Sequence, residues 1–524
     1  MQGGTQLIPP KTLPSLSKNL NRALLGAVCL GYLLHVLHYN FIADDAFITL
    51  RYAQNLASGD GLVFNPGERV EGFTSPLWTL LLGALAFLQV ELLPVARLLG
   101  ITAGLVAIFL LHRLVDLFCP QEDFPGFALA AAALLACNGS FACWAGSGME
   151  TTFFLAMLTA AFFASCSERY WLSAVLALGG ALTRPEGLLA AGLLGAFQCY
   201  RGRRLGQPWK GWVLLCLGGI AVLFSCRLLY FGELLPNTFY AKTGASWDQI
   251  SRGLSYFAAY AADHEGLLLL LLPVAIAMLC GESSLRLLAL GVLGFWVALI
   301  GVGGDGLPMY RFALHGMPLL LGLQVVLLAR GLRRFQQGRA ALSLLVVLLL
   351  CWATVHFTPP AIGSHYGSYK FQRQVEVPQW RRVGEWLAQN AGSHESLAAV
   401  PIGAVAYYSG LRVYDMLGLT NAHIAHRQMP DLGSGWAGHE KHDGQYILRQ
   451  RPTYLLLGNI DVSAKPRDAN QRPFIPYENP HILAREQDIY TKGRLFELYR
   501  PRSVELAPGQ YLNFYELKEE FRRR

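Results

Sequence analysis

The sequence predicts an α-helical polytopic membrane protein of about 11–13 transmembrane segments, followed by a soluble α/β domain. Three observations carry this. Hydrophobic residues make up 53% of the 524 and charged residues only 15%, whereas soluble domains carry about 25% charged residues. Mean hydropathy is accordingly +0.34. The charge deficit is uneven: apolar runs repeat up to about residue 358, and the chain beyond reads as an ordinary soluble domain. The basic residues, finally, gather at the ends of those runs. The expected division is a membrane domain over 1–358, with a long first loop at 41–75, and an α/β domain over 359–524.

The apolar runs fall at about 22–41, 76–90, 95–118, 126–143, 150–166, 170–183, 187–200, 211–231, 265–281, 284–302, 312–330 and 340–358. Lys11, Lys18 and Arg22 precede the first run; Arg201, Arg203, Arg204 and Lys210 fill one short loop; Arg330, Arg333, Arg334 and Arg339 fill another. Cytoplasmic loops carry such excess. An even number of crossings cannot satisfy all three clusters. Counting back from the 201–210 loop places Gly148 and Arg184 outside, whereas counting forward places residue 119 outside. The segment 126–143 is therefore expected to re-enter on its own side or to split into two short helices, with Asn138-Gly-Ser140 as the break. Eleven crossings plus one re-entrant segment result. The first apolar run reads as a full span rather than a short signal core. In the tail, Trp380–Gln389 has a helical pattern, and strands are expected at Ser396–Val400, Ala404–Tyr408, Arg412–Tyr414, Tyr454–Leu457 and 494–500.

A net charge of +8 does not point to nucleic acid, because the basic clusters are spent on topology and leave no basic stripe. The ten cysteines end at Cys351 and form no CxxC pair, so the tail has no disulfide and a thiolate metal site is not indicated. His439 and His442 have metal-like spacing without a third ligand. No metal site is expected, although a divalent cation is left open as a cofactor. Walker, GxSxG and HExxH patterns are missing.

The polar motifs fall in the loops assigned to one side. Asp44 and Asp45 follow directly on the first span. One aspartate suffices to start the helix that Ala46-Phe-Ile-Thr-Leu-Arg-Tyr-Ala53 encodes; the second adds like-charge repulsion at a membrane face. Helical spacing puts Asp44, Ile48 and Arg51 on one side, where Arg51 compensates a carboxylate or holds an anion. Ser147-Gly-Met-Glu-Thr151 contains Glu150. Arg184-Pro-Glu-Gly187, Tyr240-Ala-Lys242 and Gly303-Gly-Asp-Gly306 with Arg311 add further charges. Ionisable residues beside spans are costly and mark function by default. Arg184, Lys242 and Arg311 suit a clamp on a phosphate or pyrophosphate; the plainer alternative is snorkelling to lipid headgroups. A sugar carried on a lipid phosphate fits this set: a carboxylate takes the acceptor proton and cations stabilise the leaving phosphate.

Asp44-Asp-Ala-Phe-Ile, continuing through Gly61-Leu-Val-Phe-Asn-Pro-Gly-Glu-Arg-Val-Glu-Gly-Phe-Thr-Ser-Pro-Leu-Trp78, resembles the actinobacterial terminal β-(1→2)-arabinofuranosyltransferases and their Gram-negative relatives. The later motifs above, with Leu235-Pro-Asn-Thr-Phe-Tyr-Ala-Lys242 and Gly418-Leu-Thr-Asn-Ala-His-Ile-Ala425, are similar in kind and order, so the resemblance runs from about 40 to 450. It implies the GT-C fold and an inverting transfer of a pentofuranose, D-arabinofuranose first, from a polyprenyl-phosphate donor. It implies Asp44 as base with Asp45 as alternative or partner, Arg184, Lys242 and Arg311 at the donor phosphate, and Glu71, Glu150 and Asp305 for sugar or acceptor; Arg51 joins the phosphate set and Tyr240 the sugar or acceptor set as further candidates. The implied partners are membrane lipid, the polyprenyl donor and a glycan or glycoprotein acceptor, at the bacterial cytoplasmic membrane with site and tail extracytoplasmic. Departures are Phe73, Met149 and Asn421, where relatives favour tyrosine, leucine and aspartate.

Two other classes compete. A lipid-linked-sugar transporter or flippase places charges near the bilayer midplane and often shows inverted repeats; here the acids sit at span ends and no repeat is visible. A non-catalytic scaffold with the same fold does not need the intact Asp44-Asp45 pair. A reporter fused after residue 360 is expected to read as extracytoplasmic; a cytoplasmic reading overturns the topology.

Overall fold

A computed structural model describes residues 18–522 apart from 121–125, 207, 245, 264–265, 333–363, 431, 472–473, 476–485 and 491–493. The expected span at 340–358 and the expected domain boundary lie outside the described residues. Two bodies are seen: a helical bundle, and a smaller domain carrying a mixed sheet.

The bundle begins with α1 (Lys18–Tyr39). Next come α2 (Asp44–Ala57) and α3 (Pro76–Ala86). Asp44 and Asp45 lie in the first turn of α2, where carboxylates offset the helix dipole. Pro76 opens α3 in the position proline favours. α3 is only 11 residues long, about 16 Å at 1.5 Å per residue, roughly half a hydrocarbon core. It stays against α2: a Cβ on Gly83 would lie 2.8 Å from Leu56 Cδ2. The expected span at 76–90 is therefore not a crossing.

This removes the parity conflict. α4 (Leu92–Phe118) starts beside the end of α1, where Arg97 donates to Asn40 Oδ1 (2.6 Å) and Gly146 O (2.9 Å). Its far end, and residue 119 with it, therefore lies at the opposite end of the bundle. α5 (Phe127–Cys137) and α6 (Gly139–Ala145) bend by 64°. They break at Asn138, whose Oδ1 accepts the Phe141 N–H at 2.8 Å. They lead back to the α1 terminus, where Phe41 meets Trp144 edge-on at 5.3 Å. The segment is a broken traverse of two short helices, not a re-entrant loop.

α7 (Thr151–Cys166), α8 (Tyr170–Thr183), α9 (Glu186–Leu205) and α10 (Trp209–Phe231) follow, then the short α11 (Asn237–Lys242). α12 (Trp247–Asp263), α13 (Gly266–Cys280), α14 (Ser283–Gly301) and α15 (Met317–Leu332, entered by a 3-10 turn over Arg311–Gly316) complete the bundle. Among the described residues five helices are long and apolar enough to cross a membrane, or seven if each of two bent pairs counts once. α7 and α8 are apolar but shorter, and α9 carries Arg201, Arg203 and Arg204 in its last turns. Arg201 pairs with Glu168, and Arg330 with Glu282 at 3.0 Å.

The C-terminal domain has strands β1 (Ser396–Ala399), β2 (Arg412–Asp415), β3 (Tyr454–Leu455), β4 (Val462–Ser463), β5 (Tyr499–Ala507) and β6 (Gln510–Leu517). The order is β2-β1-β3-β6-β4, with β5 also paired to β6. β1 runs parallel to β2 and β3, while β6 is antiparallel to its neighbours. The expected helix is present as Val377–Asn390. Two expectations fail. Residues 404–408 form a helix, Ala404–Ser409, because a carboxylate from the membrane domain meets its first N–H groups. At 494–500 a helical turn, Leu495–Leu498, precedes β5.

The two bodies share one core. Phe47, Leu50, Phe64, Trp78 and Leu82 from the first loop and α3 pack with Trp380, Val383, Ile402, Val405 and Leu411 of the C-terminal domain. Arg51, buried, ties them polarly. It donates to Phe64 O (2.7 Å), Ala406 O (2.5 Å) and Leu411 O (2.6 Å). Phe64 O also accepts from Asn55 Nδ2 (3.0 Å) and Ala406 O from the Gly410 N–H (3.1 Å), so Arg51→Met leaves Leu411 O as the carbonyl without a donor among the described residues, at about 1–3 kcal/mol. A loss of about 1–3 kcal/mol is expected, read as a lower melting temperature in detergent; an unchanged midpoint overturns the assignment.

Candidate functional site

At the end of the bundle where α1 finishes, a cavity of about 760 Å³ lies under the C-terminal domain. Its lining divides into two halves. Leu189, Leu193, Leu223, Leu290 and Val297, from α9, α10 and α14, form an apolar half. Val297 is 68% exposed and Leu290 40%, so this half lies next to the outer surface of the bundle. The other half is ionic.

The ionic half is built by pairing. Arg184, in the turn between α8 and α9, is buried among carboxylates. It pairs with Glu150, and with Glu186 at 3.0 Å through Nη2 and 3.2 Å through Nε. Asp305 holds Arg311 through two bonds of 2.8 and 3.1 Å. Gly303 and Gly304, both at positive φ (82° and 76°), make the turn that presents Asp305, a conformation β-carbons disfavour. Arg311 also lies over Trp144, 5.3 Å from the ring centre. Arg227 of α10 donates through Nε to both Glu71 oxygens at 3.1 and 3.0 Å. Arg252 pairs with Glu440 of the C-terminal domain at 2.9 Å. Buried pairs like these add little net stability but are costly to break, about 3–5 kcal/mol each. They hold charge in fixed places.

Two cavity-lining charges are left over. Asp45 and Lys242 both face the cavity, and neither side chain has a hydrogen bond or ion pair among the described residues. Lys242 ends α11 and packs under Gly438, where an added Cβ would come within 3.2 Å of its Cε. Thr238, one turn earlier, borders the cavity, and its buried hydroxyl has no partner among the described residues.

Asp44 is placed differently. Its Oδ2 accepts the Gly403 N–H (2.9 Å) and its Oδ1 the Ala404 N–H (2.7 Å). It caps a helix of the other domain, and a Cβ on Gly403 would collide with it. Both oxygens are engaged, and Asp44 does not line the cavity. The α2 periodicity explains the split: Asp44 and Arg51 face the C-terminal domain, whereas Asp45, Ile48 and Thr49 face the cavity. The expectation that Arg51 holds a phosphate is not met, because carbonyls take its donors.

The other expected residues divide similarly. Glu150, Arg184, Asp305, Arg311 and Lys242 line the cavity. Glu71 stands behind Arg227. Tyr240 lies outside the lining; it donates to Glu233 (3.2 Å) and its ring lies against His426. His439 stacks on Trp436 at 4.2 Å, and among the described residues no three metal-type side chains come together. Of the departures from the resembled pattern, Phe73 meets Tyr52 edge-on at 4.8 Å. Met149 Sδ sits 3.4 Å from Arg311 Nη1. Asn421 caps the turn Ala422–Ala425 by accepting the Ile424 N–H, a task asparagine does as well as aspartate. Sequence reasoning assigned no role to Glu186, Arg227, Thr238 or Arg252. An arginine inside the apolar run 211–231 was the available signal for Arg227; nothing local marks the others.

The comparisons agree with this architecture. Residues 368–511 match a domain of unknown function (DUF8728). The terminal β-(1→2)-arabinofuranosyltransferase of Mycobacterium tuberculosis is 31% identical over 281 residues, 47% of this chain and 42% of that protein. Its Corynebacterium glutamicum counterpart is 28% identical over 382 residues, 60% and 52% of the two chains. The chain thus matches about half the length of these curated relatives. Among solved structures, ArnT from Cupriavidus metallidurans, bound to undecaprenyl phosphate, superposes with a TM-score of 0.52 at 11% identity over 97% of this chain and 100% of that one. The chain has the GT-C fold. The oligosaccharyltransferase of Archaeoglobus fulgidus shares this GT-C fold with a TM-score of 0.50 at 10% identity, covering 76% of this chain and 64% of its own.

Three carboxyls around the domain join are pushed up to about 7. Burial raises Asp44 and the neighbouring Asp45 charge adds to it, against the two N–H donors. Burial raises Glu71 against Arg227. Burial, with the Asp44 charge, raises Glu376. An unfolded chain releases these protons near pH 4, so the folded state holds more of them between about pH 4 and 7. Their contribution to stability is present below that window and is lost as pH rises through it. Asp44→Asn and Glu376→Gln are each expected to flatten the fall in melting temperature between pH 5 and 7; a slope equal to wild type in both overturns the assignment.

Proposed function

We propose that the protein is an integral-membrane inverting glycosyltransferase that moves a pentofuranose from a polyprenyl monophosphate to an envelope glycan or surface-protein acceptor. The observation that carries this is the divided cavity, with an apolar half bordering the bundle surface and an ionic half containing one uncommitted acid and one uncommitted cation. A lipid-linked sugar has the same division: its prenyl chain suits α9, α10 and α14, and its phosphate suits Lys242 and the outer face of Arg227. D-arabinofuranose is the sugar favoured by likeness to the two curated relatives.

In the transfer, Asp45 accepts the proton of the acceptor hydroxyl as its oxygen attacks the anomeric carbon. The bond from that carbon to the phosphate oxygen breaks on the opposite face, so configuration inverts. Polyprenyl phosphate departs with the bonding electron pair, and Lys242 meets the charge as it develops. The base role thus passes from Asp44 to Asp45, because Asp45 is the aspartate of the pair that borders the cavity. Glu150, Glu186 and Asp305 hold the arginines and leave lone pairs for sugar hydroxyls. For sidedness, the pairs of Arg201 and Arg330 lie at the end of the bundle away from the cavity, which the positive-inside rule makes cytoplasmic. The site and the C-terminal domain then face the extracytoplasmic side of a bacterial cytoplasmic membrane.

The test is label transfer from synthetic polyprenyl-phosphoryl-D-[14C]arabinofuranose to an envelope extract by purified protein. Asp45→Asn is expected to lower turnover roughly 10²–10⁴-fold with donor binding retained. Lys242→Ala is expected to weaken donor more than acceptor. Wild-type turnover by Asp45→Asn removes it from the base role, and absence of donor binding to wild type points to another sugar.

A further inference from the structure

Beside the cavity the C-terminal domain presents a rigid aromatic surface that the transfer chemistry does not use. The segment 432–442 forms part of the cavity roof through Ala437 and Gly438. It is braced on all sides. Glu440 Oε1 accepts the Gly433 and Gly435 N–H groups at 2.7 and 2.8 Å. Arg252 donates to Gly435 O at 3.0 Å and pairs with Glu440. Trp436 stands on this frame. Its single polar atom, Nε1, donates to Gly306 O at 3.2 Å, at the cavity lining. What the indole offers to solvent, with the residue 42% exposed, is therefore carbon. His439 lies nearly parallel against the ring, 9° between planes at 4.2 Å, and fixes its orientation.

The pattern recurs along the same stretch of chain. His426 lies against Tyr240, two residues from Lys242, at 4.3 Å with the planes tilted by 31°. His423 stacks on Tyr446 at 4.1 Å. Arg427 ties the two parts of the segment by donating to His442 O at 2.7 Å. Ring planes are thus set among polar groups: Glu233 on Tyr240 and Asp443 on His423. Flat carbon faces held beside hydroxyl-binding groups match the two aspects of a sugar ring, its axial C–H face and its equatorial hydroxyls. A bilayer contact needs the reverse, ring planes among apolar neighbours.

We propose that Trp436, braced by His439, is a saccharide-binding platform that holds an acceptor glycan with its end at the cavity. The position of the platform rests on the transferase reading; its ligand class rests on the stacked geometry. Full-length protein in nanodiscs, without donor, would be titrated with an array of bacterial-envelope oligosaccharides. Wild type is expected to bind members of the array, and Trp436→Ala to weaken that binding roughly three- to ten-fold, the worth of one aromatic stack. Trp436→Phe, which keeps a plane, retains most of it; Trp436→Leu, which keeps bulk without a plane, does not. No binding by wild type, or binding by the Ala and Leu variants equal to that of wild type, overturns the proposal. So does quenching by brominated acyl chains that is lost in Trp436→Phe with saccharide binding unchanged, since that places the indole in lipid. The titration involves no turnover, so failure of label transfer leaves the platform standing, and loss of saccharide binding leaves the transfer chemistry standing.

Discussion

The junction between Asp44 and the Gly403–Ala404 backbone organises this molecule. A carboxylate from the first turn of α2 caps a helix more than three hundred residues away, and Arg51 on the same helical face binds two carbonyls, Ala406 O and Leu411 O, across the same join. Once that face of α2 is fixed to the C-terminal domain, the neighbouring face must turn inward. Asp45 is the residue that this rotation carries to the cavity. An Asp-Asp pair is thereby divided into a structural member and a chemical one. The like-charge cost of adjacent carboxylates is offset because two N–H groups address one of them.

A second constraint is charge compensation away from water. Four arginines border the cavity, and each has its own carboxylate partners. Such pairs contribute position more than stability. Their effect is to leave few free charges, so a substrate meets a defined acid and a defined cation rather than a diffuse field. The Arg252–Glu440 pair extends this logic to the roof: it orients the segment that carries Ala437 and Gly438 over Lys242, and Trp436 beside them.

The helical bundle frames the site through where its helices end. Because α3 is short and stays against α2, the first loop, α3 and the C-terminal domain build one apolar core at one end of the bundle. The Asn138 break lets α6 pack its Trp144 under Arg311. These two irregularities place aromatic surface and ion pairs around the same space.

Much of this was legible in the residues. Charge deficit and apolar runs specify a helical membrane bundle with a soluble tail, since no other arrangement satisfies that much apolar chain. Glu150, Arg184, Lys242, Asp305 and Arg311 stood out because ionisable groups at span ends are expensive. The Asn138 break was readable from a polar residue and glycine inside an apolar run. What the sequence could not determine was partnership across distance. Asp44 and Asp45 are chemically identical, and only the helix rotation imposed by Gly403 and Ala404 tells them apart. Arg51 reads locally as an anion ligand, but its acceptors, Ala406 and Leu411, come from the far end of the chain. Residues 404–408 alternate like a strand and become a helix because an external carboxylate starts it. Hydropathy could not separate α3 from a span, since composition records how apolar a segment is and not which neighbour buries it. Local pattern determines which elements form; tertiary contact decides which groups are spent on structure and which remain for chemistry.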